Sequence, residues 1–497
     1  MEKMNQDTDI VSQYLSDLTE QITYSPARKM IRREYEDHII DEIAYQREKG
    51  LSEEDAISSA VEQMGDPISV GKQLDRIHKP KRTWPVLLIV ISFMILCLFV
   101  HHFVWYTSTL NTRQLSFNWL DMMVILALFV TMGLCPYTVY RRYCKYIAAF
   151  ILVGPLIHQV FILFERYSVM LCDVDSIINE TFYKIFGYWW KWACTGGTLL
   201  YVPVYGFLLA NLKGKNKSVF RAIALMVVPL LIFFDYNPIS SKYVYWNNLE
   251  FWRLFVGLLV VFVVAVWKDI LPLPKRKTTV ISCLVLLGSN ILYALFDYIV
   301  ICGGSWSVYK YHSGSCFFGV QFSEHRLGQC IEYLAERKEF YPSLESYYLF
   351  PIVGIRDAKW FGMSDKISQE LAEGGNIKSA LAVNGDIVGL MHYFGIIPVV
   401  FAMLLLFGIT IWLLLNICRQ RNTAGKVAGI GAGAMLLFQM LYSVLQICSL
   451  TVGGRYTGLF PILASMHLRD YSSLAEVMML YGMLISMYRY QSVVGTD

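Results

Sequence analysis

The hydrophobic pattern of the chain changes near residue 80. Before that point, apolar residues recur at helical spacing between charged ones, as in the run from Ile31 through Tyr35 and Ile39. Gly50 is predicted to end this helix, and Ser52-Glu53-Glu54-Asp55 to cap the next one. Gly65-Asp66-Pro67 predicts a second break before a last short helix. We therefore expect residues 1–80 to form a small helical domain.

From Trp84 onward the chain consists largely of long apolar runs. Each approaches or exceeds the roughly 20 residues that an α-helix needs to cross the bilayer core. Because backbone groups in lipid must be satisfied within the segment, these runs should be helices. The prediction is an all-α protein with a ten-helix membrane domain over residues 84–490. The runs are 84–106, 119–140, 146–166, 188–210, 219–235, 251–268, 278–302, 387–417, 427–450 and 472–488.

Basic residues predict the orientation of these spans. Connections 107–118 and 236–250 carry one basic residue each, whereas the alternate connections are rich in Lys and Arg. The positive-inside bias therefore predicts an even number of spans, with both termini in the cytosol. It also places the long connection 303–386 outside. The basic residues of the inner connections are Arg141, Arg142, Lys145, Lys213, Lys215, Lys217, Lys275, Arg276, Lys277, Arg419, Arg421 and Lys426.

The connection 303–386 is unusually long and aromatic. Because Trp306, Trp360 and the run 347–351 make it too aromatic for disorder, we expect short helices on the outer membrane face. Cys316 and Cys330 share this connection, either as a disulfide in an oxidising space or as two free thiols.

Composition agrees with a membrane protein. Hydrophobic residues make up 55% of the 497 positions and charged residues only 16%, well below a typical soluble domain. The net charge of +4 does not indicate nucleic-acid binding. No cleavable signal peptide is expected, because the first apolar run follows about eighty polar residues. No CxxC pair, zinc motif or phosphate-binding Gly-rich loop occurs, so no metal site or ATP chemistry is expected.

The first domain resembles the HAAS-type permease prefix domain. The resemblance rests on the order of four motifs, which covers nearly the whole domain: Tyr14-Leu15-Ser16-Asp17-Leu18, Glu34-Tyr35-Glu36-Asp37-His38, Gly50-Leu51-Ser52-Glu53-Glu54-Asp55-Ala56-Ile57 and Met64-Gly65-Asp66-Pro67. It implies a cytosolic module that binds a partner whose identity the sequence leaves open.

The membrane domain resembles the SEDS family (shape, elongation, division and sporulation; the FtsW/RodA/SpoVE type). The layout is similar, with ten spans, inner termini and one large outer connection between spans seven and eight. Local motifs are similar as well: the outer stretch Tyr348 to Gly362, Asn384-Gly385-Asp386-Ile387-Val388 with Gly395-Ile396-Ile397, Gly453-Gly454-Arg455-Tyr456-Thr457-Gly458-Leu459-Phe460-Pro461, and Tyr471-Ser472-Ser473.

The resemblance implies polymerisation of peptidoglycan glycan strands from lipid II on the outer face of a bacterial cytoplasmic membrane. It also implies a class B penicillin-binding protein as partner, in division, elongation or sporulation. Asp386 would be the catalytic base that takes the proton from the attacking sugar hydroxyl. The alternative is that Asp386 only caps the following helix. An alignment without gaps around Gly395 places Asn384 at the family's catalytic position, and His392-Tyr393 stand near the position of its paired glutamates.

Several residues are candidates for substrate binding by the same resemblance. Arg356 and Lys359 would hold the departing pyrophosphate, with solvated surface charges as the alternative. The last outer signature adds Arg455, Thr457, Gly458, Ser472 and Ser473. No cofactor is evident, and a divalent cation at the pyrophosphate is compatible with this chemistry.

Two further patterns lie within the spans. Ionisable residues near the outer ends would line a polar groove, or else sit at ordinary boundary positions: Asp121, Glu165, Lys191, Asp235, Arg253 and Asp297. Gly425, Gly429 and Gly433 repeat every four residues, which favours close helix packing.

Two other functions remain open. Because several family motifs are altered, the chain could be an inactive SEDS-derived scaffold or regulator of envelope growth. A flippase for lipid-linked precursors would use the same groove without a catalytic base.

Overall fold

The computed structural model describes residues 2–107, 119–168, 197–233, 244–296, 315–317, 320–322, 355, 358–365, 368–369, 387–420, 422–447 and 472–491. These residues form an all-α structure apart from one hairpin of two short strands, which pairs Ser315–Phe317 (β1) with Val320–Phe322 (β2). The helices are α1 Glu2–Glu20, α2 Ser25–Glu48, α3 Glu53–Gln63, α4 Pro67–His78, α5 Trp84–Thr107, α6 Trp119–Leu134, α7 Tyr137–Ser168, α8 Gly197–Ala210, α9 Ser218–Phe233, α10 Val244–Trp267, α11 Lys275–Phe296, α12 Ile387–Phe394, α13 Ile396–Cys418, α14 Thr423–Ile447 and α15 Ser472–Arg489.

The chain divides into two compact units. Unit 1 contains Met1–Thr83, Gln420–Asn422 and Tyr488–Asp497. Unit 2 contains Trp84–Arg419 and Thr423–Met487. Unit 1 therefore combines helices α1–α4 with two short segments from much later in the sequence.

The breaks predicted between the helices of unit 1 are confirmed. Gly50 has a φ of +93°, which ends the helical path after α2. The Ser52 hydroxyl accepts a hydrogen bond from the Asp55 amide at 3.2 Å, and thereby caps α3. Asp66 caps α4 in the same way, through the Ser69 amide at 2.8 Å. Local side-chain chemistry thus defines where these helices begin and end.

The core of unit 1 is an apolar cluster from α1 and α2. Leu18, Ile22 and Ile39 are fully buried there, and Tyr14 is 5% exposed. The Tyr14 hydroxyl donates a hydrogen bond to the Met64 carbonyl oxygen at 3.0 Å, which ties α1 to the end of α3. Burial raises the pKa of Tyr14 to about 12, helped by the nearby Tyr35 and Asp66.

The segment 488–491 is an integral part of unit 1. The Lys81 amide donates to the Arg489 carbonyl oxygen at 2.8 Å, and Arg489 Nη1 donates to Thr83 Oγ1 at 3.3 Å. The rings of Tyr24 and Tyr490 lie 5.8 Å apart. The end of α15 is therefore held by residues from the first 83 positions.

Unit 2 is a bundle of apolar helices. Every described side chain from Leu199 to Ala210 in α8 and from Leu474 to Met487 in α15 is buried, so these two helices are enclosed by others. Helices α11 and α13 instead expose large apolar side chains, as expected for surfaces that face lipid. These side chains include Ile281, Leu284, Ile291, Leu292, Phe401, Leu404 and Leu415.

Few of the described helices are individually long and apolar enough to cross a membrane. Ile396–Cys418 and Thr423–Val444 qualify, and a bent pair, Met122–Leu134 with Tyr137–Val153, raises the number to three. Shorter apolar helices accompany them. The described residues therefore indicate membrane association, and the number of ten spans stays a prediction.

One predicted span boundary is wrong, and one predicted run is divided in two. The break expected between residues 140 and 146 lies at Cys135-Pro136, where the chain bends by 119° from one helix to the next. Proline disfavours the α conformation of the residue before it and has no N–H to donate, so the turn falls there. The run 387–417 is also divided, because Gly395 separates α12 from α13 with a φ of +94°.

The predicted packing role of the glycines in α14 is confirmed for two of them. A Cβ atom on Gly429 would lie 2.7 Å from Ile417 and 2.8 Å from Met487. One on Gly433 would overlap the Leu414 side chain. Both glycines therefore allow close approach of neighbouring helices.

Replacement of Tyr14 by phenylalanine should destabilise unit 1 by about 1 kcal/mol at neutral pH, because the Met64 carbonyl loses its donor. The raised pKa means that the folded state keeps the proton longer than the unfolded state does. Stability should therefore fall as the pH rises from about 10 to about 12, and less steeply in Tyr14→Phe. Amide hydrogen exchange of the full chain measures both effects.

The matched control is Tyr45→Phe, since the Tyr45 ring is 51% exposed. It should leave the exchange rates within unit 1 unchanged. Equal alkaline sensitivity of the Tyr14→Phe protein and the parent would contradict the assignment to Tyr14.

Candidate functional site

Part of the long connection 303–386 is hydrogen-bonded to the break between α12 and α13. We call residues 358–365 the docked segment. It runs antiparallel to residues 392–397 and is held through backbone atoms alone at four points. These hydrogen bonds are Ile397 N to Trp360 O (3.1 Å), Ile396 N to Lys359 O (2.9 Å), Gly362 N to Phe394 O (3.1 Å) and Ser364 N to His392 O (2.8 Å).

Gly395 makes this close backbone approach feasible. A Cβ atom at this position would lie 2.6 Å from Phe361 Cα and 2.7 Å from Trp360 O. Its φ of +94° is also strained for residues with a side chain. The glycine of the predicted Gly395-Ile396-Ile397 motif therefore has a physical role in docking.

A buried hydroxyl–imidazole pair joins the docked segment to α12. Ser364 and His392 have no exposed surface, and Ser364 Oγ lies 3.0 Å from His392 Nδ1. Such a pair can activate a hydroxyl where a substrate reaches it. Because both side chains are enclosed, in this conformation the pair links the segment to α12.

Lys359 lies in the docked segment with an exposed side chain. Its Nζ is 2.5 Å from Asp365 Oδ1, and the two side chains are 46% and 89% exposed. An ion pair this exposed contributes little stability. Lys359 is therefore accessible to a ligand that can compete with Asp365.

Most of the predicted site residues lie outside the described residues. These are Asp386, Arg356, Arg455, Thr457 and Gly458. The sequence position of Asp386 immediately precedes α12, whose residues from Ile387 to Tyr393 are all buried. A residue directly before the first turn of α12 could serve as a catalytic base, and it could equally cap the helix.

The other predicted residues are placed only in part. Ser472 and Ser473 belong to the first turn of α15, although the structure describes only their backbone. Of the six ionisable residues of the predicted groove, only Arg253 has a described side chain, and it is 9% exposed. Whether Cys316 and Cys330 form a disulfide stays a prediction, since Cys330 lies outside the described residues.

Glu476 is a polar residue that the sequence reasoning missed. It is 3% exposed, and its Oε1 accepts a hydrogen bond from the backbone N–H of Leu199 at 3.1 Å. This carboxylate therefore lies at the first turn of α8, where the helix dipole favours an anion. The signal was available, because Glu476 is the one charged residue of the run 472–488.

Within the described ranges, no group of three or more His, Cys, Asp or Glu side chains could hold a metal ion. No protein-family model matches the chain, and no curated protein is significantly similar to it.

Substitution of Gly395 by alanine should release the docked segment, because the new Cβ atom overlaps the Phe361 backbone. We expect cleavage after Lys359 by trypsin to become at least tenfold faster in protein reconstituted into nanodiscs. Mass spectrometry of the fragments measures the rate.

Gly362→Ala provides a matched control. Gly362 also has a positive φ, +76°, but a Cβ atom there meets nothing within 4 Å. The Gly362→Ala protein should therefore show only a small increase in the rate of tryptic cleavage after Lys359. Equal rates for the two variants would argue against close packing at Gly395.

Proposed function

We propose that the chain is a ten-span SEDS-type glycosyltransferase of the bacterial cytoplasmic membrane. It would polymerise glycan strands from lipid II on the outer face, with both termini in the cytosol. The docked segment is the observation that carries this proposal. It shows that the long connection returns to the break beside the buried helix α12, directly after Asp386 in the chain.

The three chain segments that make up unit 1 support the proposed topology. Thr83, Gln420 and Tyr488 belong to the same unit, although predicted membrane spans separate them in the sequence. A unit on one side of a membrane requires an even number of crossings between its segments. The proposed topology supplies eight crossings before Gln420 and two more before Tyr488. Positive-inside bias then favours the cytosol for unit 1.

The proposed chemistry joins two lipid-linked disaccharides. A sugar hydroxyl of one attacks the anomeric carbon of the other, a glycosidic bond forms, and the bond to undecaprenyl pyrophosphate breaks. Asp386 takes the proton from the attacking hydroxyl. Arg356, Lys359 and Arg455 would balance the charge that develops on the departing pyrophosphate.

Lys359 shows how a cation of this site could exchange partners. Its ion pair with Asp365 lies in water, where a single carboxylate holds it weakly. A pyrophosphate carries more charge and offers more acceptor oxygens than one carboxylate. Substrate would therefore displace Asp365 without loss of a buried interaction.

The proposal includes two protein partners. A class B penicillin-binding protein would add crosslinks to the nascent strand, as the family resemblance implies. The helices α1–α4 of unit 1 would bind a cytosolic regulator, in agreement with the prefix-type sequence.

A non-enzymatic scaffold is the second candidate function. It is favoured by His392, which stands near the position of the family's paired glutamates and is fully buried against Ser364. A side chain enclosed in this way cannot replace an accessible carboxylate. A scaffold would keep the docked segment and bind its partner without polymerising lipid II.

Asp386→Asn should abolish polymerisation, because the amide cannot accept the proton of the attacking hydroxyl. The assay gives labelled lipid II to purified protein, alone and with a penicillin-binding protein from the same genome, and separates products by length. Asn384→Ala is the control for the alternative alignment, and should retain activity. Bound lipid II without polymer in every pairing would favour the scaffold. Transfer of lipid II across vesicle membranes by the Asp386→Asn protein would favour the flippase.

The orientation can be measured separately in a cysteine-free background. Met363→Cys lies in the docked segment, and Lys215→Cys lies in a predicted inner connection. A membrane-impermeant maleimide should label Met363→Cys in intact cells, but Lys215→Cys only after permeabilisation. The reverse pattern would exclude an extracellular site and the proposed function with it.

A further inference from the structure

The docked segment covers one end of helix α13. The first backbone N–H groups of an α-helix have no acceptor within the helix itself. In α13, the Ile396 N–H donates instead to the Lys359 carbonyl oxygen at 2.9 Å. The Ile397 N–H donates to the Trp360 carbonyl oxygen at 3.1 Å. Because these donors belong to the first turn of the helix, the docked segment lies at the N-terminal end of α13.

The length of α13 indicates where that end lies relative to a membrane. Helix α13 has 23 residues and is one of the described helices that are long and apolar enough to cross a bilayer. At 1.5 Å per residue it is about 35 Å long, close to the hydrocarbon thickness of about 30 Å. Each end of a spanning α13 therefore lies near a boundary between hydrocarbon and headgroups, and the docked segment lies at one of these boundaries.

One face of α13 carries exposed apolar side chains up to the same boundary. Positions i, i+3, i+4 and i+7 share a face of an α-helix. Counted from the first turn of α13, these positions hold large exposed side chains: Ile397, Val400, Phe401 and Leu404. The apolar face of α13 thus begins at Ile397, the residue whose N–H binds the Trp360 carbonyl oxygen.

Trp360 and Phe361 present two large aromatic rings at this level. Their exposed fractions are 68% and 65%. Exposure of neighbouring aromatic rings to water is unfavourable, because their apolar surface stays hydrated. The headgroup region of a bilayer favours aromatic side chains, since apolar and polar surroundings meet there. The position of the two rings therefore matches the environment in which such rings are stable.

The other side chains of the docked segment fit the same placement. Ser364 is fully buried against His392, so this part of the segment faces the protein. Lys359 and Asp365 form an exposed ion pair, which requires water. A segment with buried, charged and aromatic side chains suits a place where protein, water and lipid meet.

We propose that Trp360 and Phe361 insert into the headgroup region of the bilayer and anchor the docked segment to the membrane surface. The partner of this aromatic anchor is the phospholipid leaflet itself. Backbone hydrogen bonds fix the segment to α12 and α13, and the two rings fix it to the lipid. The inference rests on α13 crossing the membrane, and neither on the polymerisation of lipid II nor on which leaflet is involved.

Depth measurements with spin labels test the aromatic anchor. In the cysteine-free protein, Phe361→Cys, Phe401→Cys and Asp365→Cys are each labelled with a nitroxide and reconstituted into liposomes of phosphatidylethanolamine and phosphatidylglycerol. Oxygen concentrates in hydrocarbon and a nickel chelate in water, so the ratio of their collision rates with the label reports its depth. This ratio should be at least about threefold higher for Phe361→Cys than for Asp365→Cys, and highest for Phe401→Cys.

Asp365→Cys is the matched control, since it belongs to the same segment and its side chain is 89% exposed. Trp360→Cys gives a second position on the anchor, and its ratio should resemble that of Phe361→Cys. Ratios at both anchor positions equal to that of Asp365→Cys would overturn the proposal, because the rings would then lie in water. Spectral broadening that disappears on dilution with unlabelled protein would also overturn it, because a second copy of the chain would then cover the rings. Either result would leave the polymerisation of lipid II to its own assay.

Discussion

A polar group enclosed among apolar helices must find its partner within the protein, and unit 2 depends on this constraint. Apolar side chains alone would let the helices slide along one another, because lipid and leucine are equally apolar neighbours. Directional contacts restrict that freedom. The Leu199 N–H on the Glu476 carboxylate sets the height of α15 against α8, and the Thr410 and Tyr481 hydroxyls, 2.7 Å apart, set α13 against α15. Small residues such as Gly429 then allow the backbones to approach.

The helix ends of the two units obtain their hydrogen-bond partners in different ways. In unit 1, helix ends are satisfied by short local side chains, as Ser52 and Asp66 show, and water is available for the rest. In unit 2, the start of α8 receives a carboxylate from a residue 277 positions away in the sequence. Neighbouring residues in the sequence predict a local cap, whereas this distant contact forms only when the helices pack together.

The docked segment connects fold and proposed function. Backbone hydrogen bonds and the Ser364–His392 side-chain pair hold residues 358–365, which leaves Lys359 and the exposed Trp360 and Phe361 available for contact with other molecules. Large exposed aromatic rings beside a cation suit a site at the membrane surface that receives an amphipathic substrate. His392, by contrast, is committed to Ser364 within the fold. The docked segment thus separates side chains that hold the structure from side chains that can meet a ligand.

The sequence by itself determined the helical class, the apolar character of unit 2, and the helix breaks at Gly50 and Gly65. Those features depend on period, composition and capping, all of which act over a few residues. It also indicated that Gly429 serves close packing. Only the tertiary structure decided that Gly395 divides the long run 387–417, and that Glu476 meets the start of α8. Both depend on contacts with segments remote in the chain, and a linear pattern does not record which remote segments will meet.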